Sequence, residues 1–214
     1  MRIDSNYAGA IDTTFNYNII IPSGWVYTQY FKTKIPTGKK LYIQSGGKVY
    51  FSKLPGQTPK REIFIINETQ VANTMGGTFT SGADRTRTLN TIKTNLISGA
   101  LLLTANQFSL PIGNYNILAF APSIETILHQ AKLYNVGTAT DILIGSSETT
   151  NVNRNTSRSV IAGTFSVIST ASSNNIFEIR HRCSNTKVTY GLGEACNLGN
   201  NEVYTIVIIE RIIP

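Results

Sequence analysis

Short runs rich in Tyr, Ile, Val and Phe recur along the whole chain, each ending at a cluster of Gly, Pro, Ser or Asn. Runs of that length and composition between turn residues predict β-strands. In the first third they fall at Tyr17–Ile21, Trp25–Phe31, Lys40–Gln44, Lys48–Ser52 and Glu62–Ile66. Pro22-Ser23-Gly24, Pro36-Thr37-Gly38, Gly46-Gly47 and Leu54-Pro55-Gly56 separate them. Leu41–Phe51 reads as a hairpin, because Gly46-Gly47 can supply the positive φ angles of a tight primed turn. The polar stretch Thr69–Thr74 then leads into Gly76-Gly77, which places a domain boundary between residues 74 and 75. Beyond it strands are expected at Arg85–Leu89, Ala100–Leu103, Gln107–Leu110, Tyr115–Phe120, Ile127–Tyr134, Ile142–Ser146, Ser159–Val167, Ile176–Cys183 and Val203–Ile209. No window carries a 3.6-residue apolar period, and Ser123–Leu128 is the one segment that admits a short helical turn. The pattern predicts an all-β chain: a small β module over residues 1–74, then an antiparallel sandwich or jelly roll over residues 75–214.

One strand concentrates chemistry. Residues 177–183 read FEIRHRC. Side chains alternate across a strand, so Phe177, Ile179, His181 and Cys183 share one face and Glu178, Arg180 and Arg182 the other. A face that begins with Phe and Ile is a core face, where a hydrogen-bonded His and a free Cys are ordinary. Glu178, Arg180 and Arg182 are open to two readings. They can pair with charges on neighbouring strands, or they can meet another subunit or an anionic ligand, for which Arg forks are suited. They are the candidate subunit or partner contact.

Composition narrows the class. Charged residues make up 14% of the 214 residues and hydrophobic ones 41%, so the chain buries a core and keeps its surface wet with Thr, Ser and Asn. The net charge is +7 and is uneven: residues 1–74 hold nine Lys or Arg against four acids. Most of that excess lies between Lys32 and Arg61, and Lys39, Lys40, Lys48, Lys53, Lys60 and Arg61 form a candidate basic docking surface. The same lysines also fit a set of solvated, blunted edge strands. They are interrupted by Gly and Pro, so nucleic acid is not the expected partner. The longest apolar stretches, such as Ile97–Leu103, fall far short of the ~18 residues that cross a bilayer, and Met1–Ala10 lacks the pattern of a secretory leader. No membrane association is expected. Two cysteines, Cys183 and Cys196, allow at most one bridge and do not form a disulfide scaffold.

Screens for catalysis return little. The chain has no Gly-x-Ser-x-Gly elbow, no phosphate-binding loop and no His-Glu-x-x-His helix. It holds two histidines, His129 and His181, and few acids; Glu194 and Glu202 are the nearest carboxylates beside a Gly/Asn-rich loop. His181, Cys183, Cys196 and His129 could in principle supply four zinc ligands. The absence of a Cys-x-x-Cys pair and the core character of the strand weigh against it. No cofactor, no metal and no enzymatic activity are expected. Two glycosylation sequons, Asn67-Glu68-Thr69 and Asn155-Thr156-Ser157, would matter only on a secretory route.

An ordered series of segments carries a family resemblance. It runs GTFTSGADRTRTLN (77–90), NQFSLPIGNY (106–115), Ala121-Pro122, HQAKLYN (129–135), Gly145-Ser146-Ser147, FEIRHRC (177–183), GLGEACN (191–197) and EVYT (202–205). In this order and spacing, residues 75–212 resemble the C-terminal jelly-roll domain of phage tail, tail-fibre and other virion proteins, related in architecture to tumour-necrosis-factor and complement-head domains. Asp84 stands where that pattern commonly has an aromatic, and Cys196 where it has a small residue, so the family fold does not need Cys196. The resemblance implies a homotrimer in which one sheet packs apolar side chains along a threefold axis. It implies a virion location, with other capsid or tail proteins as partners and the basic module docking on an acidic particle surface. Attachment to host surface glycans through the loops Gly145–Arg158 and Thr186–Asn201 is the alternative.

Overall fold

The computed structural model describes residues 19–21, 26–29, 41–43, 48–51, 62–151 and 153–213, the first four segments as backbone only. The chain forms two compact units, Met1–Lys60 and Arg61–Pro214. The first contains β1 (Ile19–Ile21), β2 (Val26–Gln29), β3 (Leu41–Ile43) and β4 (Lys48–Phe51). β1 pairs with β3 and β2 with β4, both in parallel. The hairpin expected over Leu41–Phe51 is therefore not formed: β3 and β4 each pair with an earlier strand rather than with one another. A Gly-Gly pair permits a reversal, but ladder partners decide whether one occurs.

The second unit is a two-sheet sandwich built from β5 (Glu62–Gln70), β6 (Arg85–Thr86), β7 (Thr91–Asn95), β8 (Leu101–Leu102), β9 (Phe108–Ser109), β10 (Gly113–Ile124), β11 (Leu128–Asn135), β12 (Thr140–Thr149), β13 (Thr156–Val167), β14 (Ile176–Cys183) and β15 (Glu202–Ile212). One sheet has the order β13-β10-β15-β5-β7; the other has β12-β11-β14-β9-β8, with β6 also on β14. All of these pairings are antiparallel. From β10 to β15 the chain crosses between the sheets repeatedly, as a jelly roll does. The all-β sandwich read from the sequence is the fold observed.

The sandwich starts earlier than the polar stretch at Thr69–Thr74 indicates. β5 runs beside β15, with Ile66 opposite Val207 and Phe64 opposite Ile209, so residues 62–70 belong to the sandwich sheet. The helical turn admitted at Ser123–Leu128 is absent. Ser123 and Ile124 complete β10, and the chain reverses through Glu125 and Ile127, both at positive φ, before β11 begins.

Alternation along the strands fills the space between the sheets. Phe64, Ile66, Tyr115, Ile117, Phe165, Val207 and Ile209 from one sheet meet Phe108, Leu133, Phe177 and Ile179 from the other. Phe165 packs edge-on against Phe177 across the interior, with ring centroids 5.6 Å apart. Each such buried side chain contributes roughly 1.5–3 kcal/mol over exposure to water. The Leu110-Pro111-Ile112 turn is fixed from within, because the Tyr115 hydroxyl donates to the Pro111 carbonyl at 2.6 Å.

Candidate functional site

β14 places the FEIRHRC side chains as alternation requires on its inner face: Phe177, Ile179, His181 and Cys183 are all buried. Its outer face is less open than expected. Glu178 is 4% exposed, and its carboxylate accepts from Gln107 Nε2 at 3.1 Å and from Arg180 Nε at 2.6 Å. The Arg180 guanidinium also stacks over the Tyr134 ring, 3.3 Å from its centroid. Glu178 and Arg180 thus have intramolecular partners from β9's flank, β11 and β14 itself, and Arg182 is the exposed member of the three. Arg182 borders an open groove of about 560 Å³ with Gln130, Lys132, Ser147 and the exposed Leu128 and Ile144. Lys132 in that groove is held between Asp84 at 2.7 Å and Asp141 at 3.0 Å. The departure at Asp84 therefore supplies a counter-charge for Lys132.

Between the sheets lies a polar system that the motif search passed over. Arg87 is completely buried. Its Nε donates to Thr205 Oγ1 at 2.7 Å, Nη1 to the Pro122 carbonyl at 3.3 Å, and Nη2 to Glu68 Oε2 at 3.0 Å and the Leu192 carbonyl at 2.9 Å. Thr205 in turn donates to Glu68 Oε2 at 2.9 Å. Burial lowers the Arg87 pKa, and Glu68 opposes that effect. The sequence did hold a signal: Arg87 is two residues from Leu89, so period-two alternation assigns both to the inner face.

Beside it, His129 Nδ1 and His181 Nε2 are hydrogen-bonded at 2.9 Å, and His129 Nε2 lies 2.7 Å from Ser157 Oγ. The chain Ser157–His129–His181 joins β13 to β11 and β14 and so ties one sheet to the other. Burial lowers the His129 pKa to about 4, with the Arg87 charge adding to the effect and Glu148 opposing it. Burial, then Arg87 and His129, hold His181 well below its usual range. Both rings are neutral near pH 7. A base that weak is a poor activator of a serine hydroxyl, and Ser157 is not among the residues lining the groove. The arrangement serves as a polar clamp.

Other residues singled out in the sequence are separated from one another. Cys183 is buried and Cys196 exposed, both unpaired, and burial pushes the Cys183 thiol up to about 11. Among the described residues no three His, Cys, Asp or Glu side chains gather as a metal site. Glu202 accepts the backbone N–H groups of Cys196, Asn197 and Asn73, while Glu194 pairs with Arg154. Asn67 is 7% exposed and so inaccessible to glycosylation, whereas Asn155 is exposed. Much of the loop expected over Gly145–Arg158 is strand, in β12 and β13. Lys39, Lys40, Lys53, Lys60 and Arg61 lie outside the described residues, and Lys48 is described only as part of β4.

The outward face of the five-stranded sheet carries ordered apolar rows. Val160, Phe120 and Ile206 form one cross-strand row, and Ala162, Leu118, Ile208 and Ile65 the next. A third row, Thr164, Asn116, Glu210 and Ile63, turns polar. None of the aliphatic and aromatic members of these rows is fully buried, and Leu118 is 38% exposed. Soluble monomers seldom leave a continuous apolar sheet face in water.

Among solved structures the chain is similar to the globular domain of zebrafish complement 1qA protein (11% identity, 72% of this chain and 98% of that one, TM-score 0.44). It is also similar to PRD1 vertex protein P5 (10% identity, 71% and 97%, TM-score 0.45) and to Eiger TNF from S. frugiperda (6% identity, 72% and 93%, TM-score 0.47). No sequence-family description matches the chain, and no curated protein matches it.

Proposed function

We propose that this chain is a virion structural protein, a minor capsid, decoration, collar or tail component, that assembles as a homotrimer through the outward face of its five-stranded sheet. The observation that carries the reading is the pair of apolar rows Val160-Phe120-Ile206 and Ala162-Leu118-Ile208-Ile65. Packing that face around a threefold axis removes it from water, and a closed ring leaves no further copy to add. The ordered resemblance of residues 75–212 to virion jelly rolls supports the same conclusion, and it gives the role of the trimer: a rigid, non-enzymatic building block. The basic residues before Glu62 then face an acidic neighbour in the particle.

The test is the double substitution Leu118→Glu, Ile208→Glu in the full chain. These residues face each other across β10 and β15, so a trimer would bring six carboxylates to one axis. Sedimentation should show wild-type trimer and a variant monomer with an unchanged β circular-dichroism spectrum. A wild-type monomer at micromolar concentration sinks the assembly reading. Mass spectrometry of purified particles tests the virion role, and absence of the chain from them overturns it.

A groove on the other sheet favours attachment to glycans as a second activity. It presents Gln130, Ser147 and Arg182 to solvent beside Leu128 and Ile144. A glycan array without binding, or binding unaffected by Arg182→Ala, removes that reading.

A further inference from the structure

The N-terminal unit contains a repeat. β1 pairs with β3 from Ile19↔Leu41 to Ile21↔Ile43, and β2 pairs with β4 from Val26↔Lys48 to Gln29↔Phe51. Both ladders have the same offset, 22 residues (41 less 19, and 48 less 26). The sequence repeats at that offset as well: IIIPSGWVYTQ (19–29) aligns with LYIQSGGKVYF (41–51), with Ser23-Gly24 over Ser45-Gly46. Each segment is strand, four-residue connection, strand, with the same lengths in both copies. These are two rungs of a parallel stack.

The apolar triplet of the first strand recurs once more, but it is used elsewhere. Adding 22 to Leu41-Tyr42-Ile43 gives Ile63-Phe64-Ile65, although the Ser-Gly and second-strand positions of that period hold Asn67-Glu68 and Gln70–Asn73. Those residues lie in β5, whose two ladder sides are both occupied: Phe64 and Ile65 face Ile209 and Ile208 of β15, and Asn95 and Thr94 of β7. With both sides taken, this triplet does not pair with β3. Among the described residues each of β1 to β4 has a single ladder partner. Two-stranded sheets are marginal alone, and stacked repeats need about three rungs for stability.

We propose that the missing rung is supplied by another copy of this chain, the β3–β4 side of one pairing in parallel with the β1–β2 side of the next. The occupant follows from the repeat, since the chain already pairs these two patterns with each other at the same register and no further described segment carries the pattern free. The inference rests on self-association of the chain, which the sandwich face is proposed to provide. It adds a second interface, directional and built from backbone hydrogen bonds, in the unit that carries the basic residues.

Two full-length proteins lacking the exposed thiol (Cys196→Ser) are co-expressed, one with Ile20→Cys and the other with Tyr42→Cys. Paired strands lie about 4.8 Å apart, within the Cα separation a disulfide spans. Each single variant has one new cysteine, so a 20–42 bridge can form only between chains. The expected result is a cross-linked species containing the 20–42 peptide after mild oxidation, absent from either protein alone. Tyr27→Cys with Val49→Cys, opposite each other in the second ladder, repeats the test should the first pair fold poorly. Absence of both bridges from a sample that sediments as a trimer overturns this inference and leaves the sandwich interface standing. Absence of both from a monomeric sample overturns the two together.

Discussion

Replacing Glu68 with Leu should be among the most damaging single changes in the sandwich. Arg87 is fully buried and Glu68 is 1% exposed. Glu68→Leu leaves the guanidinium with Thr205 and two carbonyls as partners but without the carboxylate that balances its charge. Breaking one side of a buried ion pair costs about 3–5 kcal/mol. For a sandwich of this size each kcal/mol lowers Tm by about 2–4 °C, which gives a loss of roughly 6–20 °C. Arg87→Met should cost a similar amount at pH 7, because it strands the Glu68 carboxylate and removes the donor from the Pro122 and Leu192 carbonyls. The double variant Glu68→Leu, Arg87→Met removes both charges, so it should be more stable than the sum of the single losses predicts, by about 2 kcal/mol or more. Equilibrium urea unfolding of the four proteins completes the cycle. A single-variant loss below about 1 kcal/mol, or strictly additive losses, would refute the claim that charge balance rather than shape holds this part of the interior together.

Two further outcomes follow from interior geometry. His129 titrates near 4 in the fold and His181 is also held well below the ordinary value of 6.5. Below pH 6.5 the unfolded chain therefore binds protons that the folded chain does not. The two histidines should make stability fall as pH drops from about 6.5 towards 4, each by up to about 1.4 kcal/mol per pH unit. Urea midpoints measured across that range should decline, and His129→Gln should flatten the decline; an unchanged slope would exclude the histidines as its cause. Gly193, at φ +154°, faces Tyr204 so closely that an added Cβ would lie 2.0 Å from Cδ1 of that ring. Gly193→Ala should thus cost the ~1–3 kcal/mol typical of overpacking or more and lower Tm accordingly, and an unaltered calorimetric transition would contradict the packing described.

The parts of the fold that were legible in the sequence are those where alternation and burial coincide. β10, β13, β14 and β15 carry runs such as Tyr115–Phe120 and Thr205–Ile209, in which every second residue enters the core. Thr91–Asn95 was not legible as a strand, because TIKTN is a short polar edge with no buried residue, and its ladder to β5 is its evidence. Glu178 shows the limit of alternation for a site. Period two correctly puts it opposite Phe177 and Ile179, yet Gln107 and Arg180 close over it, a burial that depends on residues 71 positions earlier in the chain.

The pairing partner of a strand is the quantity least written in its own residues. Leu41–Ile43 and Lys48–Phe51 look like the arms of a hairpin when read locally, and become rungs when set beside Ile19–Ile21 and Val26–Gln29. Comparing the chain with itself at an offset of 22 residues would have shown this, since Ser-Gly recurs at that spacing between two apolar runs. Ile63-Phe64-Ile65 shares the apolar triplet of the rungs but pairs with β15 and β7, so the sandwich begins at β5 and not at residue 75. Among the described residues β3 and β4 have one ladder partner each, which is why a further copy of the chain is the proposed source of the next rung.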